Sequence, residues 1–433
     1  MDQVKATTAT RDLALDFYRV VAVVLVVFGH WLAAALTYRN GHFGRANPLL
    51  EIPWTQWLTW IFQVVPVFFV VAGYASAVSW TRWRSSPTAA RDSWFRHRLT
   101  RIAGPTAVYV AVVLTVIAVL LLFGADSSTL AFGGWAVALH LWFLAVYLVV
   151  VWLTPVLVAA HRRWGLAVPA ALAVGAIAVD GLNIGLGLPH VGWLNFVLAW
   201  SAIYQLGIAW HGGLLRGWRP VALGVCSAAA LVLLVTWGPY PVSMIGVPGD
   251  PVQNTTPPSV ALLAFGAAQA GLVLTCAAPL NRVLGSGRRQ RWLAVANQNV
   301  MALYLWHMVP VIVVTLVGYP SGLLPQPPLG SGSWWLARLQ WLTVLAVVTA
   351  VELLFLWWRR AWFAPTLGTV GVPLPTRLAE PLMLCGVAAT ALSLGLFAAT
   401  GFAPGGRFPL WTALLFAAGV ALIALRPTRP RVR

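Results

Sequence analysis

The chain has 433 residues, 60 % of them hydrophobic and only 9 % charged, against a soluble norm of about 45–50 % apolar and about 25 % charged. So few charges cannot cover a water-facing globule, and so much apolar surface excludes disorder and a disulfide scaffold. The net charge is +18, with Lys5 the one lysine among 28 cations, but the arginines fall in short clusters between long apolar runs, which argues against a nucleic-acid surface and for a membrane.

A helix needs about 20 apolar residues to cross a bilayer. Runs of that kind predict spans over 14–36, 57–80, 103–123, 135–160, 166–184, 193–210, 220–237, 259–280, 297–317 and 335–357, with two more over 379–400 and 408–425. The fold class expected is all-α, a polytopic bundle of ten helices over residues 1–360 and a C-terminal extension, 361–433, with two additional spans. The first run is too long for a secretory signal, and no small-residue cleavage site follows it.

Cytoplasmic loops carry excess Lys and Arg, which orients the bundle. Arg82, Arg84, Arg91, Arg96, Arg98 and Arg101 lie between the second and third runs. Arg162, Arg163, Arg216, Arg219, Arg282, Arg288, Arg289, Arg291, Arg359, Arg360, Arg377 and Arg426 fall on that same side, with Lys5, Arg11, Arg19, Arg429, Arg431 and Arg433. Only Arg39, Arg45, Arg338 and Arg407 go to the other side. The expectation is an integral protein of the bacterial cytoplasmic membrane with both termini in the cytoplasm.

Between the seventh and eighth runs, 238–258 reads Gly-Pro-Tyr-Pro, then Pro-Gly-Asp-Pro, then Pro-Pro. Such a stretch is non-helical and is either a lid over an acceptor site or a connector. Cys226, Cys276 and Cys385 sit singly in apolar runs and are expected to be buried structural residues, with no metal spacing.

Ionisable groups inside spans are costly and mark candidate sites. Arg19 and His30 are 11 positions apart, a rise of roughly 16 Å, and share one helix face. Asp16 can pair with Arg19 from the preceding turn. Arg98 and Arg101 share a face at i, i+3 and are expected to point together, where guanidinium forks suit phosphate oxygens. Arg82, Arg84, Arg91 and Arg96 read as anchors to anionic lipid. His140, His307 and Glu352 are further intramembrane candidates, whereas Asp180 lies near a span end and is expected to be solvated. For each histidine the plainer reading is an interhelical hydrogen bond, and for Arg19 it is snorkelling to headgroups.

These residues together resemble the acyltransferase-3 family of polytopic membrane acyltransferases. Arg19, ten residues and His30 match its first-span motif. Pro66-Val-Phe68-Phe69-Val-Val-Ala72-Gly73-Tyr74 resembles its Phe-Phe-x-x-Ser-Gly-aromatic stretch, with Ala72 in place of serine. Arg98-x-x-Arg101, His140-Leu-Trp142-Phe-Leu and the late Tyr304-Leu-Trp-His307 follow in order. Glu352 lacks the Glu-Lys-Pro-Phe context of many members.

The resemblance implies transfer of a short acyl group, acetyl by default, from acyl-CoA to a hydroxyl of an envelope glycan, a lipid or a small molecule. Acyl-CoA would be the donor substrate, with no permanently bound cofactor and no metal. The partners implied are membrane lipid, acyl-CoA and a hydroxyl-bearing acceptor, not nucleic acid. His30 is the catalytic candidate, as base or as covalent acyl carrier; Arg19, Arg98 and Arg101 are donor-binding candidates. Tyr74, His140, Trp142, His307 and Glu352 are secondary candidates. The first helix would line a passage from the donor mouth to the reaction centre. Two other readings stand beside this: a proton-coupled carrier of small solutes, and a non-catalytic membrane subunit.

Overall fold

The computed structural model describes residues 12–86 and 91–428; the charges Lys5, Arg11, Arg429, Arg431 and Arg433 lie outside them. The elements in order are α1 (Leu13–Ala33), the hairpin β1 (Ala35–Arg39) and β2 (His42–Ala46), α2 (Pro48–Glu51), α3 (Thr59–Phe62), α4 (Val65–Arg84) and α5 (Arg91–Leu122). Next come α6 (Ser127–Ala136), α7 (Leu141–Trp152), α8 (Thr154–Trp164), α9 (Ala167–Asp180), α10 (Asn195–His211), α11 (Arg219–Trp237) and α12 (Val260–Leu284). The chain ends with α13 (Gly287–Trp306), α14 (Met308–Gly318), α15 (Gly332–Trp358), α16 (Arg360–Phe363), β3 (Val370–Val372), α17 (Ala379–Thr400), α18 (Leu410–Ala424) and β4 (Leu425–Pro427).

This is an all-α polytopic membrane protein. Among the described residues nine helices are long and apolar enough to cross a bilayer, or up to 11 if each of two bent pairs counts as one span. α18 is apolar but only 15 residues long. Several predicted limits move. The first span stops at Ala33, and the chain turns at once into the β1–β2 hairpin, registered Ala35↔Ala46 through Arg39↔His42. The third begins at Arg91, well inside the segment read as a loop. The run 135–160 is not one helix but α7 and α8, preceded by α6. The run 297–317 is likewise broken, α13 and α14 meeting at 51°. Pro310 removes the N–H that would bond the Trp306 carbonyl and crowds that carbonyl, which favours the break at His307.

Helix starts follow ordinary capping. Ser259 Oγ accepts from Leu262 N at 3.1 Å, and Ser331 Oγ from Trp334 N at 3.1 Å. Asp126 caps α6, and hydrogen bonds from the Ser128 hydroxyl and from the amide and hydroxyl of Thr129 hold its carboxyl down to about 2. Asp12 accepts from Ala14 N and from Asn281, which ties the start of α1 to the end of α12.

α4 crosses α10 at very close range. A Cβ on Gly73 would lie 2.0 Å from the Tyr204 carbonyl oxygen, and one on Gly207 would lie 2.0 Å from that of Val70. Two backbones touch there, as small residues allow between membrane helices.

Three polar expectations need correcting. Arg96 is not a lipid anchor: it is buried and donates to the Ile423 and Leu425 carbonyls at 3.2 and 2.6 Å, fastening the end of α18 to α5. Asp180 is not solvated; it is buried and accepts from Asn195 Nδ2 (2.9 Å), the Tyr240 hydroxyl (3.0 Å) and Val260 N (2.7 Å). Cys226, Cys276 and Cys385 are exposed on helix surfaces, not buried. A small apolar thiol has no need of the core when the surrounding solvent is lipid.

The C-terminal pair is built into the bundle. α17 packs along α7 and α18 along α5, while Phe402 N donates to the Gly134 carbonyl at 3.0 Å.

Candidate functional site: three histidines at interrupted helices

His30, His140 and His307 are brought together although they come from distant parts of the chain. His30 lies in the last turn of α1, nearer the arginine-poor end than mid-span. His140 sits in the break of α6–α7, bent by 41°, and His307 in the break of α13–α14. The His307 ring centroid is 5.1 Å from that of His30 and 5.0 Å from that of His140. Interrupted helices are tolerated at membrane depth where they line a cavity, because the backbone groups freed there can find partners.

The hydrogen bonds run in a definite direction. His307 Nδ1 lies 2.8 Å from the Tyr304 carbonyl oxygen, and its Nε2 lies 2.8 Å from His30 Nδ1. A carbonyl only accepts, so His307 carries its proton on Nδ1. With both rings neutral, His307 Nε2 accepts from His30 Nδ1–H, and the lone pair of His30 is left on Nε2. Around this core the Trp31 indole donates to the His307 carbonyl (3.1 Å), the Trp341 indole to the Trp31 carbonyl (3.1 Å), and the Tyr304 hydroxyl to the His140 carbonyl (2.7 Å). Both helix breaks are thereby tied to each other and to α1 and α15.

His30 and His140 line a cavity of about 630 Å³, within the range of small-molecule sites. Its walls come from the arginine-poor half of the molecule: the end of α1, the segment 45–68, the start of α15 and the loop 238–259. That loop is non-helical and is fixed over the cavity. Met244 N donates to Thr59 Oγ1 at 2.8 Å, Gln63 Nε2 to the Met244 carbonyl at 3.1 Å, and the Trp60 indole to the Val242 carbonyl at 2.8 Å. Burial and the Asp180 carboxylate push the Tyr240 hydroxyl of the same loop well above an ordinary phenol. Trp142 and Tyr304 also line the cavity, as do two arginines that the sequence marked only as topology signals, Arg45 and Arg338.

The remaining candidates lie elsewhere. Arg19 is half-buried near the opposite end of α1, with Nη1 3.4 Å from Asp16 Oδ1 and 3.1 Å from Asn297 Oδ1. Arg98 and Arg101 do not converge. Arg98 turns into the bundle, 3.3 Å from Ser79 Oγ with its guanidinium over the Trp94 ring, whereas Arg101 is exposed. Residues three apart differ by about 60° around a helix. Tyr74 packs on Trp210 and His211, and Glu352 is half-buried with Oε2 lacking a hydrogen-bond partner; neither lines the cavity.

The acyltransferase-3 family model, described as an acyltransferase domain, matches residues 12–357. No curated protein and no solved structure matches the chain.

Proposed function

The chain belongs to the acyltransferase-3 family and is a membrane acyltransferase, and we propose that it moves a short acyl group, acetyl by default, from acyl-CoA to an acceptor hydroxyl bound in the cavity beside His30. The observation that carries this reading is the oriented imidazole. His30 is held through Nδ1 by His307, and its Nε2 lone pair is available to a hydroxyl in a cavity large enough for a small molecule.

His30 Nε2 takes the acceptor's hydroxyl proton as that oxygen attacks the thioester carbonyl carbon. The C–O bond forms, the C–S bond breaks, and coenzyme A leaves as the thiolate. The imidazolium then returns the proton to the sulfur. General-base assistance of this kind contributes about 10²–10⁴-fold. His307 acts through His30 and is a positioning residue. Direct transfer is favoured over a covalent acyl-imidazole because His30 and the acceptor cavity adjoin, so no carrier is needed to cover a distance.

The donor enters from the arginine-rich side, which we assign to the cytoplasm of a bacterial cell. Arg98 and Arg101 bind its phosphates, with Arg19 further in. Arg19 and His30 share a helix face roughly 16 Å apart, a separation suited to the extended pantetheine arm. The acceptor approaches from the other side and is a hydroxyl-bearing envelope glycan, lipid or small molecule.

The test is release of free thiol from acetyl-CoA by the purified protein in the presence of an amphiphilic alcohol, with mass spectrometry of the ester. His30→Ala should abolish both while the protein still elutes as a single folded species. Wild-type turnover in that variant overturns the role given to His30. A carrier of solutes would release no thiol.

A further inference from the structure

Arg338 is an arginine in an unusual place. It lies near the start of α15 on the arginine-poor side, where a long cationic side chain ordinarily snorkels outward to headgroups. Instead it turns inward and is only 6 % exposed. Its guanidinium lies 4.8 Å from the Trp334 ring centre and 5.6 Å from that of Trp341, and Nη1 donates to the Ala34 carbonyl at 2.9 Å. That bond closes the end of α1, one turn beyond His30, and uses one of the five N–H donors of the fork. A carbonyl supplies no formal negative charge.

Arg45, on β2, lines the same cavity from another wall, its guanidinium 4.3 Å over the Trp135 ring. The hairpin β1–β2 presents it. No aspartate or glutamate is among the residues lining this cavity, and among the described residues neither arginine is in an ion pair. One buried positive charge, Arg338, and one exposed one, Arg45, therefore line the same largely apolar chamber, with no carboxylate among its walls. A buried cation is costly unless paired, and the fork geometry of arginine matches the two oxygens of a carboxylate or phosphate.

We propose that the acceptor is an amphiphile bearing an anionic oxyacid group, carboxylate or phosphate, which Arg338 and Arg45 bind while its hydroxyl lies at His30. The proposal rests on the reading of this cavity as the acceptor site. The apolar walls take the acceptor's hydrophobic part, and the arginines select against neutral alcohols of the same shape. Arg338 also joins recognition to chemistry, because the group that holds the anion caps the helix that carries the base.

The test compares octyl β-D-glucuronide with octyl β-D-glucoside, which share chain and ring but differ in the carboxylate. Affinities are measured without acyl-CoA, on the full chain in phosphatidylcholine nanodiscs, so that no anionic lipid competes. The glucuronide should bind about tenfold more tightly or better, the worth of a charge-assisted bond pair. Arg338→Gln should reduce that preference to about twofold, and Arg338→Lys should retain part of it, since lysine keeps the charge but loses the fork. Arg45→Gln should weaken the preference as well, which keeps the test open if Arg338→Gln fails to fold. Raising salt from roughly 50 to 500 mM should weaken the glucuronide and leave the glucoside unchanged. Equal binding of the two sugars, or a preference that survives both glutamine variants, overturns the proposal. Thiol release from acetyl-CoA is read separately. Loss of thiol release with glucuronide binding intact would sink the acyl-transfer reading alone, and thiol release without anion preference would sink only the anionic acceptor.

Discussion

His30 Nδ1 lies 2.8 Å from His307 Nε2, although 277 positions separate the two residues. Because the Tyr304 carbonyl fixes the His307 tautomer, His307 should act on turnover and not on binding. His307→Ala should lower kcat about 10²-fold with KM for acetyl-CoA and acceptor little changed. His307→Gln should recover part of the loss, since its amide oxygen accepts from His30 Nδ1–H. Steady-state thiol release on the two variants checks this; an unchanged kcat in His307→Ala removes the positioning role.

The different settings of Arg98 and Arg101 predict different responses. Arg98 is turned into the bundle beside Ser79 and Trp94, whereas Arg101 is exposed. Arg98→Ala should raise the apparent KM for acetyl-CoA at both low and high salt. Arg101→Ala should raise it mainly at low salt, because an exposed charge is screened. Donor titrations at two ionic strengths separate these, and identical salt dependence in both variants would contradict the assignment.

At the α4–α10 crossing, Gly207→Ala puts a methyl group 2.0 Å from the Val70 carbonyl oxygen. Overpacking of this kind costs about 1–3 kcal/mol. The melting temperature in detergent should fall. Gly395→Ala on α17, where an added Cβ meets nothing within 4 Å, should leave it unchanged or raise it slightly. Equal melting temperatures for Gly207→Ala and wild type would show that the backbones can part without loss.

Arg96→Ala removes the donor to the Ile423 and Leu425 carbonyls. Hydrogen bonds from a charged group are worth about 1.5–3 kcal/mol each. The variant should loosen the α17–α18 pair, which limited proteolysis of segment 364–378 would register as faster cleavage. Unaltered cleavage kinetics would mean that helix packing alone holds the pair.

Much of the fold was legible because lipid imposes a length rule on apolar runs, and the Arg19–His30 face followed from the period of the α-helix. The helix breaks are not legible in an apolar run, although Pro310, four residues after Trp306, is a signal for the one between α13 and α14. The meeting of His30, His140 and His307 could not be read from spacing, since no local rule joins helices hundreds of residues apart. Arg98 and Arg101 show the opposite limit. A shared face predicts neighbours along one helix but not which of them the rest of the bundle will cover. Arg338, near the start of the run 335–357, reads in the sequence only as a charge on the arginine-poor side, because sequence gives a residue's depth and not the direction its side chain takes.

The group that sets the direction of the proton chain is a main-chain oxygen, that of Tyr304. Every residue type carries that oxygen, so a point substitution at position 304 alters the hydroxyl contact to His140 and leaves the orienting atom in the polypeptide. A substitution there keeps the orienting atom and reaches the base only by loosening the tie between the two helix breaks that the hydroxyl makes.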